Sequence, residues 1–252
     1  MTRQIRSELL KLRTARSFIV MVGLGVGLAV LISLVRALKA DYSHLSHGPS
    51  EPGVEQISTA SLVVFFTLML GVLSVTTEYR HGSIASTLLV EPNRRRLLAA
   101  KLVAVCAVGA LVAILTGGIC LALGAAILPG RGFSLGLDGK LVAELLGGMA
   151  IAGALMAAIG VGIGAMIRKQ TAAVVGILVY LLLLEPLVTS VAIKSLDRFS
   201  IGNALSQLTS TARVNGLDHA FGQVTGGLLL AVYAVVLVLA GAIVIQTRDV
   251  TD

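Results

Sequence analysis

Few side chains in this chain have the type and spacing to do chemistry, and each has a plain reading beside the chemical one. Glu185 stands directly before Pro186, late in a long apolar run. An acid inside a membrane segment is costly and defaults to a functional hypothesis. The proline removes a backbone donor, leaves the carbonyl near Leu182 without its usual partner and kinks the helix. The pair reads as a polar element on a pathway or as the hinge of a gate. The plain reading ends the helix at Pro186 and leaves Glu185 among the outer headgroups. His44 and His47 stand three apart, half of a helical metal site, but no third ligand accompanies them. His81 and His219 also lack a ligand partner, so no metal is expected. Gly160-x-Gly162 lacks the strand that a nucleotide fingerprint needs before it. No Gly-x-x-x-x-Gly-Lys-[Ser/Thr] occurs: Lys194 is the only lysine followed by Ser or Thr, and Ile193 precedes it. His-Glu-x-x-His and Cys-x-x-Cys are absent too. No catalytic residue is expected, and the chain itself is not expected to be an enzyme.

A second group of residues lies between two apolar runs. Glu78-Tyr79-Arg80-His81-Gly82 opens the connection, and Ser83 can cap a two-turn helix to Val90. Ile84, Ala85, Leu88 and Leu89 share one face of it. Glu91-Pro92 stops it, because a residue before proline avoids the α region. Asn93 can cap the helix that starts Arg94-Arg95-Arg96. A short helix with an apolar face, hinged at Gly82 and Pro92, either offers that face to a partner or lies flat on a membrane. The arginine triplet reads as a topology determinant and lipid contact.

The elements that must position these residues follow from composition. Of 252 residues, 56% are hydrophobic and 13% charged, with no Trp. Soluble domains run near 25% charged, so a soluble enzyme, a disordered chain and a disulfide scaffold are excluded. The apolar runs are continuous rather than alternating, which argues against a membrane β-barrel. A crossing needs about 20 apolar residues. Six segments qualify: Ser17 to Val35, Ile57 to Thr76, Leu97 to Leu128, Leu141 to Ile167, Thr171 to Val191 and Val224 to Ile245. The third is long, and Lys101 near its start can snorkel into the headgroups. A split of that run at Thr116-Gly117-Gly118 is the alternative count. Gly160-x-x-x-Gly164 in the fourth is a small-residue packing face. Cys106 and Cys120 are about 21 Å apart on one helix, too far to bond.

The fold expected is an all-α integral membrane protein of one domain, residues 1–252, with six spans. Thirteen of the twenty Lys and Arg fall on one side: Arg3, Arg6, Lys11, Arg13 and Arg16; Arg80, Arg94, Arg95, Arg96 and Lys101; Arg168 and Lys169; Arg248. With the acids counted, that side carries +8 and the other −1. The richer side is assigned to the cytoplasm, with both termini. The net charge of +7 is then an inner-leaflet signature, and no nucleic-acid partner is needed. Ile5, Leu9 and Leu12 recur at helical spacing on residues 1–16, giving an amphipathic helix on the inner membrane surface. A helical topogenic flank is the plainer alternative, and a cleavable signal peptide is not expected. The outer connections are read as exposed loops at Arg36 to Gln56, with Pro49, Pro52 and Gly53, and at Pro129 to Lys140. Residues 189–223 read as interfacial or re-entrant helices on the outer side.

Ser7-Glu8-Leu9-Leu10-Lys11-Leu12-Arg13 resembles the elbow helix of type-2 ABC exporter permeases (the ABC2 membrane family). Glu78-Tyr79-Arg80-His81-Gly82-Ser83-Ile84, continuing to Arg94-Arg95-Arg96-Leu97-Leu98-Ala99-Ala100-Lys101-Leu102, resembles that family's coupling loop. So does Glu185-Pro186 with the outer segment after it, and the resemblance extends over essentially the whole chain. It implies that residues 77–96 dock on a separate ATPase through Glu78, Tyr79, Arg80, His81, Gly82, Ile84, Leu88 and Leu89. Arg168 and Lys169 would make a smaller second contact. It also implies that ATP and Mg are held by that partner and that two permease subunits, homo- or heterodimeric, form the pathway, with Glu185 and Pro186 as pathway or gate residues. Drugs, antimicrobial peptides, lipids and ions all fit as cargo, and the charge-poor spans favour an apolar or amphiphilic one. An ion-driven secondary carrier and a non-transporting sensor or immunity subunit stand beside this reading.

Overall fold

A computed structural model describes residues 2–39, 51–80, 82, 94–133, 135–167, 169–187, 199–209 and 223–247. The N-terminal helix α1 (Thr2–Thr14) is followed, across Ala15 alone, by α2 (Arg16–Lys39). After them come α3 (Glu51–Thr59), α4 (Leu62–Arg80), α5 (Arg94–Ile127), α6 (Gly139–Met166), α7 (Gln170–Val179), α8 (Ile201–Leu208) and α9 (Gln223–Thr247). Helices follow directly from these sequences. A long apolar run in lipid must satisfy every backbone N–H and C=O within itself, and a helix does so.

Five helices among the described residues are long and apolar enough to cross a membrane: Arg16–Lys39, Pro52–Arg80, Arg95–Arg131, Gly139–Met166 and Gln223–Thr247. The third is unbroken through Thr116, Gly117 and Gly118, so no split occurs there. The expected span Thr171 to Val191 is the one that differs. Its described part, residues 170–187, extends only about 27 Å at helical rise, and residues 188–191 lie outside the described residues. Its ladder also changes pitch: Tyr180–Leu184 is a π turn, followed by one α turn, Glu185–Leu187. Pro186 has no N–H to give, and the Glu185 N–H reaches back five residues to the Tyr180 carbonyl. The kink expected at Pro186 therefore takes the form of a widened turn just before it.

The expected exposed loop from Arg36 to Gln56 is corrected at its end. Glu51–Thr59 is helical, and Pro52, Gly53 and Val54 are buried. Proline is tolerated in the first turn of a helix, where its missing N–H has no partner to lose. Gly53 lies against Leu135 and Leu137 of the α5–α6 connection, where a Cβ would collide. Only the 60–61 turn separates α3 from α4, so the two form one long crossing unit.

The bundle is built around α6, which packs against α4, α5 and α9. Gly160 and Gly164 face α4, and a Cβ on Gly160 would meet the Leu68 carbonyl and Gly71 backbone. Gly162, half a turn away, faces Leu237 of α9 instead. The small residues thus serve two neighbours, and backbone approach replaces side-chain interdigitation. Thr67 of α4 donates to the Gly153 carbonyl of α6 at 3.2 Å. Ser200 caps α8 by accepting from the Asn203 N–H at 3.0 Å, and α8 buries Ala204, Leu205 and Leu208 against α9 and α6.

Candidate functional site

The loop-bearing end of the bundle gathers the charges. Helix α4 ends at Arg80, and Gly82 follows in the left-handed region at φ 67°, its N–H bonded to the Tyr79 carbonyl at 3.2 Å. Glycine is the residue that terminates a helix this way without strain. Glu78 sits on the inward face of that last turn, below Ser74 and Val75, and is 8% exposed. Helix α5 begins at Arg94, and Lys101, two turns in, shares its buried face with Leu97, Leu98, Ala104 and Val105. On α1, Glu8 shares the buried face with Leu12.

These faces meet in a cluster of two carboxylates and two ammonium groups. Lys101 Nζ donates to Glu8 Oε2 at 2.5 Å and to Glu78 Oε1 at 3.0 Å. Lys11 Nζ donates to Glu8 Oε1 at 2.6 Å and to Glu78 Oε1 at 2.9 Å. The same helices share a hydrophobic core that includes Leu12, Phe18, Leu73, Val75, Leu98 and Val105. Burial alone would push the Glu8 carboxyl up. The Lys101 charge and the hydrogen bonds from Lys101 and Lys11 outweigh it, so its pKa lies below the usual carboxylate value. Burial likewise pulls Lys11 down, but hydrogen bonds from its ammonium to Glu78 and Glu8 reverse that and hold its pKa above the usual lysine value. The cluster is charge-neutral, as a group taken out of water must nearly be.

Three further hydrogen bonds, from two arginines, join the flanks of the 81–93 connection to the rest of this end. Arg80 donates to Gln170 Oε1 on α7 at 3.2 Å. Arg95 donates to Gln246 Oε1 on α9 through Nε at 3.0 Å and Nη2 at 2.8 Å.

The sequence-derived site residues fall into three sets. Glu78, Tyr79, Arg80 and Gly82 stand at the base of the connection, with Glu78 committed to the interior, Tyr79 half-buried, and Arg80 and Gly82 exposed. Lys169 is exposed beside Gln170, so the Arg80–Gln170 bond brings the two expected contact segments together. His81, Ile84, Leu88, Leu89 and Arg168 lie outside the described residues, as do His44, His47 and His219. Glu185 is part-buried and accepts from the Gly202 N–H at 2.5 Å, which places it at the first turn of α8. Pro186 follows in the same α turn. On α1, Leu12 is buried and Ile5 half-buried, whereas Leu9 is 38% exposed. The inward face is therefore Ile5, Glu8 and Leu12.

Lys101 is a correction. It does not snorkel to the headgroups but is 4% exposed and turned inward, because Glu8 and Glu78 supply its countercharge closer than water does. Glu8 and Lys11 are the partners that sequence reasoning missed as a site. The available signal was an acid one helical turn from Leu12 on an otherwise apolar stripe. Gly132-Phe133-Ser134-Leu135-Gly136 has the spacing of a hydrolase nucleophile elbow. That elbow needs a strand before it, and here α5 and a 3-10 turn, Pro129–Arg131, come first; Ser134 itself lies outside the described residues.

Residues 4–184 match the family model described as ABC-2 family transporter protein. The chain belongs to the ABC-2 transporter family. Its apolar helices are the membrane domain of a multi-pass permease. The match takes in α1, the ion cluster, the 81–93 connection and α7 through its π turn. It stops short of Glu185, so the resemblance read over essentially the whole chain narrows to those residues. Comparison with curated proteins gives no match.

Proposed function

We propose that this ABC-2 permease is the transmembrane subunit of an ATP-driven exporter. A separate ATPase subunit, holding ATP and Mg, docks on residues 81–93, with Lys169 and Arg168 beside it. Two permease subunits form the pathway, and the cargo is an amphiphilic drug, peptide or lipid. The stretch 170–187 completes a sixth crossing, α1 is the elbow helix on the cytoplasmic surface, and residues 189–223 form the outer segment.

The observation that carries this reading is the base of the connection. Both flanks meet α1 through ion pairs, α5 by the buried Lys101–Glu8 pair and α4 by the part-buried Glu78–Lys11 pair, and Arg80 and Arg95 tie them to α7 and α9. A push on the connection would therefore reach three other helices of the bundle at once, as a lever between two arrangements requires. Nucleotide in the ATPase would bias one arrangement over the other.

The test is assembly. The permease is co-expressed with its candidate ABC ATPase subunit and purified through a tag on the permease. The ATPase is expected to co-purify, and Ile84→Glu, Leu88→Glu and Leu89→Glu together are expected to remove it while the permease still elutes as a folded species. Retention of the ATPase by that triple variant overturns the docking role.

A further inference from the structure

At the end of the bundle opposite α1, a pocket of about 430 Å³ opens between α2, the α3–α4 unit and α8. That volume lies within the range of small-molecule sites. Its walls change character in step along two elements. On α2 the rim is Arg36, and Ile32 lies one turn deeper. On α3 and α4, Glu55, Ser58, Thr59 and Ser61 come first, and Leu62 and Phe65 follow.

The change falls at a particular depth. Arg36 is twenty residues beyond Arg16 on one helix, about 30 Å at helical rise, and the hydrocarbon core is about 30 Å thick. With Arg16 at one boundary, Arg36 stands at the other. The rim is then level with headgroups and the floor is one turn inside the hydrocarbon. Water does not suit that floor, and an acyl chain does not suit that rim; one molecule with a polar head and an apolar body suits both.

The rim also says what kind of head. Arg36 Nη1 donates to Glu55 Oε1 at 2.8 Å, with the side chains 46% and 21% exposed. Together the two charges cancel, so a head of net charge gains nothing from them. The guanidinium has five N–H donors and the carboxylate several lone pairs, and the bond between them uses one of each. The hydroxyls of Ser58 and Thr59 are spent on the Glu55 carbonyl, at 2.8 and 3.0 Å, and that of Ser206 on the Asn203 carbonyl at 2.8 Å. The largest spare hydrogen-bonding capacity at the rim is thus cationic and anionic, side by side, with the Ser61 hydroxyl next to it.

We infer that this pocket binds an amphiphile with a zwitterionic phosphate–ammonium head, its phosphate on Arg36, its ammonium on Glu55 and its chain over Leu62 and Phe65. The inference stands apart from ATP-driven export and survives its failure. A bilayer phospholipid and a free single-chain amphiphile share this chemistry, and the experiment separates them.

The chain has no Trp, so Phe65→Trp places its single tryptophan on the pocket floor, where it is excited selectively. The full-length protein is placed in nanodiscs of anionic phosphatidylglycerol and titrated with lysophosphatidylcholine carrying a brominated chain. Saturable quenching is expected. Lysophosphatidylglycerol and an alkyl glucoside with the same brominated chain are expected to need at least about tenfold more, and Arg36→Gln is expected to weaken lysophosphatidylcholine by about tenfold, the scale of losing one charge-assisted bond. Brominated diacyl phosphatidylcholine built into the disc gives the source: quenching as strong as the lyso form assigns a bilayer lipid, and quenching by the lyso form alone assigns a free amphiphile. Val232→Trp, on the lipid-facing side of α9, is the reference and is expected to ignore the head. Leu62→Trp replaces Phe65→Trp should the latter not fold. Quenching that does not saturate, that ranks all three heads alike, or that is unchanged by Arg36→Gln overturns the inference.

Discussion

Lys101 carries a charge into an apolar helix, and its two carboxylate partners come from segments 93 and 23 residues away. Glu8, Glu78 and Lys101 are taken out of water while Lys11 stays part-exposed, and each buried ion costs several kcal/mol before any of it is offset by pairing. Removing one member leaves the rest uncompensated, so Lys101→Met is expected to cost about 3–5 kcal/mol, read as a fall in the thermal unfolding midpoint in detergent. Lys101→Met together with Glu8→Gln leaves Lys11 facing Glu78, a neutral pair. That double variant is expected to unfold at a higher temperature than the single; a lower midpoint would show that the four groups are not coupled. The pH dependence has a definite sign. Glu8 is held below its unfolded pKa, so its contribution is present above the usual carboxylate value and lost as pH falls through the folded one. Lys11 is held above its unfolded pKa, so its contribution is present below the usual lysine value and lost as pH rises through the folded one. The contributions of Glu8 and Lys11 are therefore both present across the neutral range.

At the scale of the helix, glycine means two different things in this chain. Gly160 is in backbone contact with α4, whereas Gly27 on α2 has nothing within 4 Å of the place a Cβ would occupy. Gly160→Leu is expected to separate α4 from α6 and to yield aggregate in size-exclusion chromatography. Gly27→Leu is expected to elute as the parent does and to stay within about 0.5 kcal/mol of it. Equal behaviour of the two variants would contradict the packing. The spacing Gly160-x-x-x-Gly164 was legible beforehand because small residues one turn apart have few uses in a membrane helix except close approach. The π turn was not: Pro186 announces that one bond is lost, but whether the ladder kinks or widens depends on what the neighbouring helices allow. Pro52 and Gly53 read as loop residues for a similar reason. Their preference for turns is statistical, and burial, for Gly53 against Leu135 and Leu137, overrides it.

For the whole molecule, the charge balance assigns an orientation that labelling can test, and the packing of the bundle decides the rest. The ion cluster removes two positive and two negative charges from the richer side, so the +8 balance there is untouched by it. In a Cys106→Ala, Cys120→Ala background, Lys169→Cys is expected to react with a membrane-impermeant maleimide only from the cytoplasmic side. Gly130→Cys, exposed in the connection before α6, is expected to react only from the other. Labelling of both from one side would overturn the assigned topology.

Composition and periodicity by themselves determined that this is an all-helical membrane chain, where its apolar runs begin and end to within a few residues, and which pieces carry the family's likeness. Those properties depend on residues near one another in sequence, where lipid demands a helix and a charge tally needs no partners. The tertiary structure decided the rest. It decided that Lys101 faces Glu8 and Glu78 rather than the headgroups, that Glu185 meets the first turn of α8, and that Arg36 and Glu55 frame a pocket. Each of these is a pairing between distant segments, and a buried or half-buried charge takes its meaning from the group opposite it, which only the packing of the helices supplies.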